Sequence, residues 1–423
     1  MSAAVEARLD EAIAETWALM ERIGAATRGA VGITRPAYGA AEQHAAEATR
    51  DALAAAGIGA AFDAFGNLHA VLEGRKAGPA VGLGSHFDSV PDGGNYDGLA
   101  GVMAGMAVLL AVRRAGVVPA RSLRLVGLRG EESPWYGTAY LGSRMALGHV
   151  PFARMGALVR GDTGRTLADH MKELGFAGQA APTLTRAELA CWLELHIEQG
   201  PLLIGRDVPV GIATAIRGNI RHAQARCLGE YAHSAAVPRA FRRDAVVAVS
   251  ELVMAMDAFW SDRLAQGDDN FVATVGVFGT DPDFHAMTKV PGEVRFTLNL
   301  GATDKAVMEQ SRAHAASAIA AIEARRGVRF EMGADTGSDP TPLDPPLVDR
   351  LDSAAGALGL GRVRMPTVGH DAGMFAQAGI PAAMVLVRNE HGSHNPHEAL
   401  EKADFAAGVR VLARAALGLA GEG

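Results

Sequence analysis

Five side chains of metal-ligand type, spread over about three hundred residues, constrain this chain more than anything else in it. They are His86 and Asp97 in GSHFDSVPDGGNYDG, Glu132 in LRGEES, His196 in WLELHIEQGP and His394 in HGSHNPHE. Each follows or closes a short apolar segment of strand character, so one fold has to bring several strand ends together. Three imidazoles and two carboxylates suit two borderline divalent ions. Glu131, beside Glu132, is then a spare carboxylate of the kind a general base requires.

The alternation of elements agrees with that demand. Helical spacing covers about residues 5 to 24 and 40 to 56, and AFDAFGNLHAVLEG then reads as a hairpin turning at Gly66 and Asn67. Between Ala80 and Gly200 the apolar strands AVGLGSHF, SLRLVGLRG and CWLELHIE alternate with helix candidates such as Leu99 to Ala115. This predicts a three-layer α/β catalytic domain with a mainly parallel mixed sheet, whose ligands gather at the carboxyl ends of its strands. From about Gly211 the texture changes to strands of two-residue alternation around two long helices, Asp244 to Asp262 and Asp304 to Arg325. An inserted α+β lid or dimerisation domain is expected there. The predicted division is 1–210 and 327–423 for the catalytic domain and 211–326 for the insert.

Composition excludes several classes. The 423 residues are 49% hydrophobic and carry a formal net charge of -7, without a long basic run, so nucleic acid is not an expected partner. The arginine groups Arg217, Arg221, Arg226 and Arg239, Arg242, Arg243 first read as solvated faces. Two cysteines, Cys191 and Cys227, form no disulfide framework, and Cys191 reads as core. No stretch reaches about eighteen uninterrupted apolar residues, so no membrane span is expected, and the N-terminus reads as a helix, not a signal. The expectation is a cytoplasmic protein.

Each motif has a plainer reading beside the chemical one. Asp88 stands two residues from His86, so on a strand it shares a face and can orient the imidazole; HxD alone says little. Asp97 at a helix start competes between metal bridge and N-cap. Glu131 and Glu132 are either a solvated helix start or a ligand and a base facing a metal-bound water whose pKa the ion lowers toward about 7. The histidines of HGSHNPHE also fit a polar loop. His233, in GEYAHSAAVPR, is either a turn residue or a lid group that polarises a carbonyl and steadies the oxyanion.

Taken together, GSHFDSVPDGGNYDG, GEES, LELHIEQGP, the lid His followed by Pro and RRDA, HDA, and VRN-x-x-GSHNP-x-E resemble the zinc-dependent hydantoinase/carbamoylase amidases. These belong to the wider two-metal aminoacylase and aminopeptidase superfamily. The resemblance spans essentially the whole chain, and His196, where peptidase relatives usually carry a carboxylate, favours the N-carbamoyl-L-amino-acid hydrolase and allantoate amidohydrolase branch. It implies that Asp97 bridges two divalent ions, with His86 and His196 completing one and Glu132 and His394 the other. Zinc is the first candidate, and manganese, cobalt and nickel also suit the set. Glu131 would be the general base and His233 the lid histidine, in a homodimer formed through the lid. Gln199, His370 and Arg388 match residues in or near the family pocket.

Where the family clamps an α-carboxylate, this sequence departs from it. HAMTKVPGEVRFTLNLGATD puts Thr288 at the usual Asn, Asn299 at the usual Asp and Gly301 at the usual Arg. Ser234 to Val237 replace the small and hydroxylated residues after the lid His, and Arg239 stands where Met is usual. A standard N-carbamoyl L-amino acid is therefore not the expected substrate. Either the ureido or amide substrate lacks that carboxylate, or Arg217, Arg221 or Arg239 meets it from another direction. An aminoacylase or dipeptidase of the same superfamily, and a metal-binding protein without turnover, are the alternatives.

Overall fold

A computed structural model describes residues 1–421, which divide into two compact units, Met1–Thr214 with Leu343–Gly423 and Ala215–Pro342. The first unit is built on a mixed sheet. Its strands run in the order Ala60–Phe62, Leu68–Leu72, Leu123–Leu128, Ala80–His86, Leu189–Ile197, Ala382–Val387 and Val210–Ile216. Parallel pairing joins the four strands from Leu123–Leu128 to Ala382–Val387, and antiparallel pairs flank them.

Alternation along the central strand Leu189–Ile197 sets out the layers. On one face Leu195 packs towards Gly101 and Gly408, in the helices Leu99–Ala115 and Lys402–Ala420. On the other, Trp192 stacks on Phe375 with ring centroids 4.0 Å apart, and Glu194 accepts the N–H of Ala372, both from the helix Asp371–Gln377. His196, in phase with Trp192 and Glu194, belongs to this second face. Leu99–Ala115 is buried from Leu99 through Val112, because it lies among the sheet, the helix Ala3–Ala26 and the closing helix.

In the second unit the strands Gly218–Leu228 and Glu293–Ala302 pair antiparallel along their length, from Glu293 opposite Leu228 to Ala302 opposite Gly218. The helices Ala245–Ala265 and Lys305–Arg326 start at Asp244 and Asp304, whose side chains accept main-chain N–H groups of the first turn. They pack through Leu252, Met256 and Ile322 onto Ile220, Phe296 and Leu300. Residues 327–342, expected in the catalytic domain, lie in this unit instead. The reason is strand pairing: Arg329–Glu331 and Thr336–Ser338 both pair with Gly218–Leu228. Cys191 and Cys227 are buried free thiols.

Candidate metal centre

Two groups of donors share one carboxylate: His86, Asp97 and His196 form one, and Asp97, Glu132 and His394 the other. In each group the candidate ligand atoms lie within 4.8 Å of one another. His86 is the last residue of its strand and His196 the penultimate residue of the neighbouring parallel strand, which places two imidazoles side by side, ring centroids 5.7 Å apart. The Nδ1 of His196 is 2.9 Å from the Ile197 carbonyl, and that of His86 is 3.2 Å from the Asp88 carbonyl. With Nδ1–H donating there, both Nε2 lone pairs face Asp97 Oδ1, at 3.1 Å from His196 and 3.4 Å from His86. Two imidazole nitrogens and a carboxylate oxygen converging on one point need a cation among them, either a proton or a metal ion, and this donor set fits a divalent ion. His394 Nε2 completes the second group, 3.3 Å from Glu132 Oε1 and 3.6 Å from Asp97 Oδ2.

Backbone geometry frees Asp97 for this position. The cap of the helix Leu99–Ala115 is Gly98, at φ 69°, and not Asp97. The bridging carboxylate then receives Gln199 Nε2 at 2.7 Å and the Ser393 hydroxyl at 2.6 Å, both on Oδ2. Gln199 itself is held at φ 65°. Asp88 does more than face the His86 ring. Its two oxygens accept the main-chain N–H of Glu131 at 2.9 Å and of Glu132 at 3.0 Å, so one carboxylate sets the direction of both glutamates.

Charge in the pocket is uneven. Burial opposes ionisation of Asp97, yet His196 and His86 outweigh it and hold that carboxyl well below its ordinary range. Burial, reinforced by Glu132, Asp371 and Asp88, pushes Glu131 well above its ordinary value against the pull of His86. No side-chain hydrogen bond holds the Glu131 carboxyl among the described residues. Glu132 keeps His394 protonated up to about 9. Cations in the two groups would deepen the bias on Asp97 and oppose that on Glu131, because their charge exceeds that of any side chain nearby.

The remaining expected site residues part company. His370 is buried, its ring 4.2 Å from that of His196 and its Nε2 3.0 Å from the Thr367 hydroxyl; burial drives it well below the ordinary imidazole value, so it packs as a neutral ring. Arg388 is ion-paired: its guanidinium grips Asp404 at 2.9 and 3.1 Å and reaches Asp207 at 3.0 Å, tying the end of a strand to the closing helix. In the second unit, Arg217 donates to the Asn270 carbonyl, and Arg239 lies exposed in the turn Arg239–Phe241. His233 is exposed, in register with Lys289 and next to the Ser234 N–H bond to Thr288. Its Nδ1 accepts the N–H groups of Ala235 and Ala236, which leaves Nε2–H as an outward donor.

Glu398 and Ser393 have structural tasks that no feature of the sequence assigned. Glu398 Oε1 accepts the N–H of Tyr96 and of Asp97, while the Ser393 hydroxyl is 2.6 Å from both Glu398 and Asp97. Both are fixed letters of the GSHNP-x-E pattern, and that was the only signal available.

Similarity to known proteins agrees with this geometry. The profile described as Peptidase family M20/M25/M40 matches residues 82–418. The chain is 29% identical over 406 residues to the allantoate amidohydrolase of Escherichia coli (strain K12), covering 95% of this chain and 96% of that one. It is 30% identical over 388 residues to the N-carbamoyl-L-amino-acid amidohydrolase of Paenarthrobacter aurescens, covering 90% and 92%. Among solved structures, a hydantoinase/carbamoylase family amidase from Burkholderia ambifaria superposes with a TM-score of 0.88 at 28% identity, over 97% and 98% of the two chains.

Proposed function

The chain belongs to peptidase family M20/M25/M40, and from this premise we propose that it is a dinuclear metal-dependent amidohydrolase cleaving a non-peptide C–N bond, ureido or amide, in a small molecule. The observation that carries the reading is Glu131: a buried carboxyl with no hydrogen bond among the described residues, aimed by Asp88 in step with Glu132, beside two donor groups that share Asp97. His86, Asp97 and His196 would hold one ion and Asp97, Glu132 and His394 the other, with zinc the first choice and manganese, cobalt or nickel compatible. When bound, such ions supply a water of lowered pKa and Lewis-acid polarisation of a carbonyl. Glu131 takes the proton from the attacking water and delivers it to the departing nitrogen. His233, as an Nε2–H donor, supports the developing oxyanion.

Homodimerisation through the inserted unit is part of this reading. It is supported by Val247 and Met254, seven residues apart on one helix face and both exposed. A cytoplasmic location is inferred as well; no helix among the described residues is long and apolar enough to cross a membrane.

The deciding experiment is Glu131→Gln. The variant is expected to keep the full metal content by elemental analysis and to lose turnover of ureido and amide substrates by about a hundredfold or more. Near wild-type rates would refute the assignment of the base.

A further inference from the structure

One buried charge near the metal centre has no task so far. Three arginines are buried among the described residues, and two of them meet a carboxylate: Arg129 lies 2.7 Å from Glu42 and Arg160 2.8 Å from Asp162. Arg35 is fully buried and makes no ion pair among the described residues. Its Nε donates to the Phe87 carbonyl at 2.7 Å, while Nη1 and Nη2 donate to the side-chain and main-chain oxygens of Asn95 at 3.0 and 3.2 Å. Burial lowers its pKa to about 10, against the pull of Glu398, Asp88, Asp97 and Glu42, so the guanidinium stays charged at neutral pH.

Its acceptors flank the loop on which the donor geometry depends. His86 is fixed by its strand, but residues 87–96, which lead from it to Asp97, lie outside every helix and strand. Phe87 directly follows His86 and Asn95 stands two residues before Asp97, so one guanidinium spans both ends of this loop. The middle is held separately: Ile33 bridges to Gly93, and the Thr34 hydroxyl accepts the N–H of Asp92 at 2.9 Å. A fixed cation beside a cation site opposes metal loading, so charge gives no reason for Arg35 to be there. The span does. Because its donors go to two carbonyls and a carboxamide, the guanidinium grips the loop without consuming an oxygen of Asp88 or Asp97.

We propose that Arg35 is a positioning residue of the metal centre, whose planar fork sets the separation of His86 and Asp97 by holding both ends of the loop that joins them. It holds none of the candidate ligands itself and acts through Phe87 and Asn95. The proposal rests on the two-metal reading of the site and adds to it a residue that no ligand pattern contains.

The test is titration of cobalt(II) into the metal-free chain, followed by visible absorption, with the melting temperature of each metal-free form measured beside it. Arg35→Lys keeps the charge, but a single ammonium cannot bridge Phe87 and Asn95. It is expected to melt cooperatively, to bind cobalt about tenfold or more weakly, and to show altered ligand-field bands. Arg35→Met should lose at least as much, although it removes a charge that opposes loading. Thr34→Val frees only the middle of the loop and should bind cobalt like the wild type. Wild-type cobalt affinity in Arg35→Lys, tighter binding in Arg35→Met or an equal loss in Thr34→Val overturns the proposal. So does an Arg35→Lys chain without a cooperative melt, which assigns the guanidinium to the fold at large; if only Arg35→Met fails to fold, the lysine variant decides. Hydrolysis separates this idea from the proposed function. Weakened cobalt binding in Arg35→Lys with no wild-type turnover of ureido or amide substrates keeps the positioning role and sinks the amidohydrolase reading, while wild-type turnover with undiminished cobalt binding in Arg35→Lys does the reverse.

Discussion

Asp88 shows how a single residue governs the pocket. With one oxygen on the Glu131 N–H and the other on the Glu132 N–H, it needs both atoms to be acceptors. Asp88→Asn would turn an NH2 group on one of those N–H donors, leave it unpaired in a buried place and tilt the glutamates. A fall in kcat/KM of about 10- to 100-fold is expected, with reduced metal content by elemental analysis and an unchanged far-ultraviolet circular dichroism spectrum. Wild-type kinetics and metal content in that variant would mean that the two hydrogen bonds are idle. At this scale the candidate ligands were legible and their supports were not. Few residue types can bind a divalent ion, so His86, Asp97, Glu132, His196 and His394 stand out in any order. A backbone N–H takes any oxygen, so Glu398 carries no mark of its bond to Asp97. Arg388 was legible as an arginine, but its capture by Asp404, sixteen residues on, was not.

Among the elements, the helix Leu99–Ala115 positions the site through its first turn. Gly98 sits at φ 69°, and a Cβ there would fall 2.3 Å from the His86 ring, so both the conformation and the space exclude a side chain. Gly101 is equally close to the sheet: an added Cβ would lie 2.2 Å from the Leu195 carbonyl oxygen. Gly98→Ala is therefore expected to displace the His86 imidazole and lower occupancy of the His86, Asp97 and His196 group. The strained backbone alone costs about 1–2 kcal/mol. Metal stoichiometry and thermal denaturation check this, and full occupancy at the wild-type melting temperature would contradict it. The bounds of this helix could be read from the run of apolar residues ended by Arg113 and Arg114 with Gly116 beyond. The end of the insert could not, because the short segments at 329–331 and 336–338 become strands only by pairing with Gly218–Leu228.

At the scale of the molecule, the pocket gathers buried carboxylates and imidazoles whose donor atoms converge, so that bound divalent ions would stabilise the folded chain. Exhaustive chelation is expected to lower the melting temperature by about 5 °C or more, as ligand linkage of roughly 3 kcal/mol implies, and added zinc or manganese should restore it. A melting temperature indifferent to chelator and metal would count against both metal groups. The sequence by itself determined the alternation of strands and helices and the donor chemistry, since periodicity and ligand type are local properties of the chain. Only the tertiary structure decided that Asp97 is shared, that Asp88 serves the backbone of two glutamates, that Arg388 is ion-paired, and that Arg221 stands opposite Asn299 in the inserted sheet. Each of these depends on pairing between segments far apart in the chain, where burial leaves a group either partnered or exposed, and no local pattern records which.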